Sequence, residues 1–600
     1  MGLLLQIPAP GIAGQCKIQL LEVPVTMNGL HPTITAQING KDALFTLDSG
    51  AFFSSITPAA AAQYQLRPDS TRRQDIIGAD GPTTMKIATV STFTIFNLQV
   101  PRVEFLVGGN DSGTAGLLGQ NVLRIADIEY DLAQGAVRFL KTTDCKKANL
   151  AYWAKPGESY SLMDIEMATP TEPHTIGAAY LNGVKMRVWF DTGATTSIVG
   201  LRAAERAGIK PGGPGVEEAE AGAGMGRNRV KTWIGTFPSF KIGDEEIHNA
   251  RLRFGYIGGI DMLLGADFFL SHHVLVASSQ SKLYFTYNGG PVFNYAAALA
   301  RAKSETSTPE TPTSSTDTPT ADAITSDASK ENSAPAPGQS DTADAPALAR
   351  RAAGYAARHD YEHALQDYNR ACELAPKEAT YFYQRALIQL NSNRMEAGAA
   401  DIETALNLNP GYIDAHFVRA EIKLRQHAPA EAVKDLATVD QLAAKEAAIR
   451  RPLAGLFEDA NDRKAAIAQL NLWIAHHTED VNLPDALNSR CWDRAVLNEA
   501  LDQALDDCNA AVRLRRNSQP VLDSRGFVHL RRKEFDKAIA DYDAALHADP
   551  KAAFSLYCRG VAKSLAGKGQ DGSKDMSAAI AQDPHVVEQA KLYGIDVPRP

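Results

Sequence analysis

No apolar run in the 600 residues approaches the ~20 needed to cross a bilayer as a helix, so no membrane-spanning helix is expected. An excess of basic charge is also missing. Lys and Arg number 61 against 70 Asp and Glu, a net charge of −9, which argues against nucleic acid as a partner. Cysteine is scarce, at six residues, and none stands with histidine at ligand-like spacing. The pairs His272-His273 and His476-His477 lack further ligands nearby, so neither a metal nor a cofactor is expected. The length excludes a single hydrophobic core.

Low-complexity sequence divides the chain. Residues 300–345 are almost entirely Ser, Thr, Pro, Ala, Asp and Glu. Such a segment buries too little apolar surface to offset chain entropy and reads as a disordered tether. It parts a Gly- and β-branched-rich half from an Ala- and Leu-rich half, and cleaving it should release two folded pieces. Residues 1–19 read as an arm, either a truncated export signal or a plain flexible segment.

The second half repeats. Small residues recur at Ala352, Ala386, Ala420, Ala454, Cys491, Gly526 and Gly560, with spacings of 34, 34, 34, 37, 35 and 34. A second series follows each by 12 or more residues, at Ala364, Gly398, Ala432, Ala466, Ala504, Ala538 and Gly572. Pro376, Pro410, Pro550 and Pro584 close four units. Helix pairs meeting at small residues with this period resemble the tetratricopeptide repeat. About seven repeats are expected over 346–590, and the resemblance implies a concave surface that binds a protein partner or a peptide segment.

The first half repeats at a longer period. "FTLDSGAFFSSI" (Phe45–Ile56) and "VWFDTGATTSIV" (Val188–Val199) place Asp48 and Asp191 143 residues apart. Gly81 pairs with Gly224 at the same offset, and "GLLGQNVL" with "MLLGADFF" at 146. The intervening runs, such as "TITAQING", "TFTIF" and "MRVWFD", carry β-branched and aromatic residues between Gly and Asn turns, so each copy reads as mainly β. Two such lobes are expected, over 20–145 and 155–290.

Each lobe resembles the retropepsin-like aspartic proteases. The resemblance rests on Asp48-Ser49-Gly50-Ala51, on the glycine hairpin Gly78–Gly81, and on Leu117-Leu118-Gly119. In the second lobe it rests on Asp191-Thr192-Gly193-Ala194, on a hairpin with Gly222 and Gly224, and on Leu263-Leu264-Gly265. It implies a bilobal acid-protease fold ahead of an all-α repeat solenoid, with Asp48 and Asp191 as a catalytic dyad. It further implies that Ser49 and Thr192 hydrogen-bond across to the opposite lobe, that Gly50 and Gly193 permit close approach of the loops, and that the glycine hairpins form flaps. Ile56 and Ile198 are expected in the apolar backing. Phe52 and Phe53 depart from the family pattern.

These readings imply an aspartic endopeptidase acting on peptide or protein substrates, with the repeats recruiting substrates or partners. The rival reading is a protease-like fold that holds peptides without cutting them. Cys16 and Cys145 flank the first lobe, at its first and last strands, and Cys491 and Cys508 lie on facing helices of one repeat, so both pairs are disulfide candidates. Cys372 and Cys558 read as core residues. Either bridge would imply an oxidising compartment and an exported protein, the alternative being a cytoplasmic one with free thiols.

Overall fold

The computed structural model describes residues 5–8, 16–78, 81–96, 98–154, 159–169, 173–223, 229–293, 344–516 and 518–595. The expected tether and most of the N-terminal arm lie outside these residues. Among these residues the first half is mostly β, in three sheets, and the second is a run of helices.

The strand Val184–Phe190 illustrates how each lobe forms. Its sequence VKMRVWF alternates, and the two-residue period of a strand turns Met186, Val188 and Phe190 into the core while Lys185 and Arg187 face out. The equivalent strand of the first lobe, Lys41–Leu47, buries Ala43, Phe45 and Leu47. In each lobe this strand pairs in parallel with the Leu-Leu strand, Leu47 opposite Leu118 and Phe190 opposite Leu264. The residue that follows, Asp48 or Asp191, donates its main-chain N–H to the Leu118 or Leu264 carbonyl at 3.0 and 2.9 Å. The two aspartates therefore leave the two lobes at equivalent positions.

A shared sheet joins the lobes. Its strand order brings Asp127–Asp131 of the first lobe against His272–Ala277 of the second, antiparallel, with Glu129 opposite Leu275. Glu129 is fully buried at this seam, where it accepts from His273 Nε2 at 2.8 Å and pairs with Arg138. Opposite charges and a bridging ring offset the cost of burying that carboxylate. Cys16 and Cys145 are joined by a disulfide, which fixes the strand Lys17–Pro24 to the end of Ala136–Thr143.

Among the described residues the helical half contains seven antiparallel pairs, from Ala345–Ala357 with Tyr361–Leu374 to Ala553–Leu565 with Gly569–Gln582, followed by the helix Val586–Leu592. The small residues of the 34-residue series are buried where paired helices touch; a Cβ on Gly560 would meet the Gly572 carbonyl at 2.7 Å. Six pairs share a further device. An arginine on the first helix forks onto an aspartate on the second: Arg351 on Asp367, Arg385 on Asp401, Arg419 on Asp435, Arg490 on Asp507, Arg525 on Asp541 and Arg559 on Asp575. The same guanidinium reaches back to the preceding pair, as Arg385 does to Asn369 and Arg419 to Glu403. Cys491 and Cys508 are bridged inside the fifth pair, while Cys372 and Cys558 are free and buried.

The helical half does not stand clear of the lobes, contrary to the expectation of two bodies on a tether. Its first helix lies on the first lobe, with Gly354 so close that a Cβ there would be 2.6 Å from the Ala133 carbonyl. Ala353 and Ala357 enter the lobe core. A second contact closes further along the array: His477 Nε2 meets Asp111 Oδ2 at 2.8 Å, and Asp111 N–H donates to Asp480 at 2.9 Å. Apolar burial at one contact and charge-assisted bonds at the other, residues far apart in sequence, hold the array in one pose.

Candidate active site

Two turns meet at the lobe boundary. Ser49 and Thr192 are both buried there. The Ser49 N–H donates to Thr192 Oγ1 at 3.0 Å, and the Thr192 N–H to Ser49 Oγ at 3.0 Å. Each hydroxyl then donates onward, Ser49 to the Phe190 carbonyl at 2.9 Å and Thr192 to the Leu47 carbonyl at 2.8 Å. Four hydrogen bonds thus clasp the loops that carry Asp48 and Asp191.

The clasp forces the carboxyls together. A Cβ on Gly50 would overlap the Asp191 carboxyl, and one on Gly193 would overlap that of Asp48. Only a residue without a side chain fits either place. Asp48 Oδ1 accepts from the Gly50 and Ala51 N–H groups at 2.9 and 2.8 Å, and Asp191 Oδ1 from Gly193 and Ala194 at 2.9 and 3.2 Å. Burial raises the Asp48 carboxyl well above its ordinary range, and the charge of Asp191 and a hydrogen bond to it add to the rise, against the Ala51 and Gly50 donors. Burial raises Asp191 as well, opposed by Gly193, by the bond to Asp48 and by Ala194. Two adjacent carboxyls of this kind resist ionising together.

Three stretches of the chain match family models. Residues 34–125 match the gag-polyprotein putative aspartyl protease model and residues 178–268 the aspartyl protease model. Residues 352–423 match the tetratricopeptide repeat model. Two aspartyl protease domains precede a tetratricopeptide repeat domain. Among curated proteins, a tetratricopeptide repeat and J domain-containing co-chaperone of Cryptococcus neoformans var. grubii is 36% identical over 70 residues, 12% of this chain and 13% of that protein. The chain thus matches only a small part of that relative's length. Solved structures similar to it include a tetratricopeptide repeat protein from Parabacteroides merdae, 14% identical, covering 42% of this chain and 98% of that one, with a TM-score of 0.31. Another is PilW, a type IV pilus biogenesis factor, 15% identical, covering 36% and 98%, with a TM-score of 0.30.

In both protease domains the Leu-Leu-Gly strand packs under the aspartate loop. A Cβ on Gly119 would sit 2.8 Å from the Ala51 carbonyl, and one on Gly265 2.6 Å from that of Ala194. A polar pair not singled out in the sequence reading braces each loop. Ser54 donates to Asn121 Oδ1 from its N–H at 2.9 Å and its hydroxyl at 2.8 Å, and its Oγ accepts from Gly119 at 3.0 Å. Ser197 does the same with Asp267 and Gly265. The signal was present, because Ser54 and Ser197 stand 143 apart like the aspartates, and Asn121 and Asp267 stand 146 apart like the glycines.

Asp48 and Asp191 both line a cavity of about 2870 Å³. The hairpin strands Asp69–Gly78 with Gly81–Ile95 and Glu217–Ala223 with Arg229–Ile242 flank it, through Gln74 and Ile76 on one side and Glu218 and Thr232 on the other. Gly78 pairs with Gly81, and Gly222 with Val230; Gly224 lies outside the described residues. Phe52, Phe53 and Trp189 line the cleft beside the aspartates. Ile56 is buried as expected, whereas Ile198 lines the cleft instead of backing it. Among the described residues no group of His, Cys, Asp or Glu is arranged to hold a metal.

Proposed function

We propose that the chain is an aspartic endopeptidase with an internal dyad of Asp48 and Asp191. The observation that carries this reading is that each carboxyl packs against the opposite domain's glycine, both are raised, and both open onto one cleft. In the proposed reaction, the ionised carboxylate takes a proton from a water as its oxygen attacks the peptide carbonyl carbon. The protonated partner donates to the carbonyl oxygen. Collapse of the tetrahedral species breaks the C–N bond, and the leaving nitrogen takes the proton first drawn from water.

The substrate is an extended polypeptide laid between the two hairpins, a mode that suits a cleft walled by strands. Phe52, Phe53 and Trp189 favour apolar side chains next to the scissile bond. The repeats recruit that polypeptide. The two disulfides support an oxidising, exported setting. Peptide-library proteolysis by the full chain tests the reading. Cleavage next to apolar residues supports it, and binding without cleavage would favour a peptide-holding protein.

A further inference from the structure

The cleft does not end at the protease domains. The cavity that contains Asp48 and Asp191 is also walled by the repeats, including Tyr383, Tyr412 and Asp414. Its volume exceeds the roughly 300–1,000 Å³ of ordinary small-molecule sites severalfold, which fits a polymer. Resting on the proteolytic reading above, we propose that Tyr383, Tyr412 and Asp414 form a subsite for one lysine or arginine side chain of the polypeptide being cut.

Tyr383 belongs to the first helix of the second repeat, Ala379–Asn391, and Tyr412 immediately precedes Ile413–Arg425 of the third. Their rings stand 4.9 Å apart at 45°, presenting two aromatic surfaces to the cavity. Asp414, in the first turn of the third repeat, is exposed to the cavity and makes no ion pair among the described residues. The charged groups that bear on the two phenols are Glu378, Asp414 and Glu421, all acidic. Glu421 has Arg425 beside it, and Glu378 accepts from the Thr380 N–H. Asp414 is left uncompensated, and surrounding protein raises its carboxyl above the ordinary value. A cation restores the favourable state of that carboxylate, and aromatic faces with a carboxylate are what an ammonium or guanidinium group selects.

The repeats thus select substrates by reading a basic residue outside the scissile segment. The test uses the full chain and a cleaved library peptide extended at both ends by neutral residues, with a single lysine scanned along the extensions and norleucine as its uncharged counterpart. One lysine register should raise kcat/KM about tenfold over norleucine, chiefly through KM. In Asp414→Asn that ratio should fall to about one, and in Tyr383→Leu it should fall in part. A merely structural loss lowers both peptides and leaves the ratio intact, which would overturn the proposal. So would the absence of any favoured register. Binding of the same peptides to the Asp191→Asn chain, read by fluorescence anisotropy, separates this proposal from the proteolytic one. If wild type cuts nothing, proteolysis fails, and a lysine preference in binding that Asp414→Asn abolishes still supports the subsite. Equal binding of the lysine and norleucine peptides overturns it.

Discussion

Ser49 and Thr192 exchange hydrogen bonds across the domain boundary, each hydroxyl accepting the other's main-chain N–H at 3.0 Å and donating to a carbonyl of the opposite strand. Replacing Thr192 by Val keeps its shape and removes both roles. The Ser49 N–H and the Leu47 carbonyl are then left unpaired in a buried place, at a cost of roughly 1–3 kcal/mol for each orphaned group. Thr192→Val should lower the denaturation midpoint and slow cleavage together. Denaturant titration alongside a peptide assay checks this, and a variant with unchanged stability would contradict the clasp.

Asp267 and Asn121 occupy equivalent places under the two aspartate loops, one ionisable and one neutral. Burial pushes the Asp267 carboxyl up to about 6, against the donors of Ser197 and Phe268. A carboxyl raised in the folded state contributes stability below its unfolded value and loses it as pH rises through the folded one. Asp267→Asn should therefore match wild type near pH 4 and gain stability above pH 6, by up to ~3 kcal/mol for a shift of about two units. Melting temperatures at pH 4 and pH 7.5 decide it. A variant less stable at the higher pH would contradict the assignment.

The repeat array is held on the first protease domain at Gly354 and at His477 with Asp111. A chain cut at an engineered site in the 300–345 segment should therefore elute as one particle. Gly354→Ala with Asp111→Ala should release the pieces. Alanine favours the helix itself by up to about 1 kcal/mol, so release would report lost docking and not a weakened repeat. Pieces that separate without these substitutions would contradict the docked pose.

Much of this arrangement is legible in the sequence. The 143-residue offset marks two copies, and the 34-residue period marks the helix pairs, because both report local patterns of small and apolar residues. The clasp follows from the family resemblance. Docking of the repeats was not legible, since it depends on Gly354, Asp111 and His477, single residues without periodic context that meet only after both halves fold. The forked Arg–Asp pairs are hidden in the sequence for another reason. Arg385 and Asp401 repeat at 34 residues as Arg419 and Asp435, but charged residues at helical spacing read first as a solvated surface.

Ala51 and Ala194 follow the glycines and offer no hydroxyl to the carboxyls beside them. With both aspartates raised, the singly protonated dyad persists to higher pH than an unshifted pair would allow. Cleavage should be best in mildly acidic to near-neutral solution and fail as pH climbs through the raised value. In Ala51→Ser with Ala194→Ser, a donor to the ionised form lowers the pKa, so the upper limb of the profile should move down. A wild-type optimum at pH 2–3, where a low-pKa dyad works, would contradict this.

The most direct test of the internal dyad is the initial rate of peptide-library cleavage by wild type, Asp48→Asn and Asp191→Asn, with circular dichroism to confirm that each is folded. In the proposed reaction the two carboxyls work as one unit, so each substitution alone should lower the rate by at least about 10³-fold, and the double variant should be little worse than either single one. A folded single variant that retains near-wild-type turnover would show that Asp48 and Asp191 do not share the reaction.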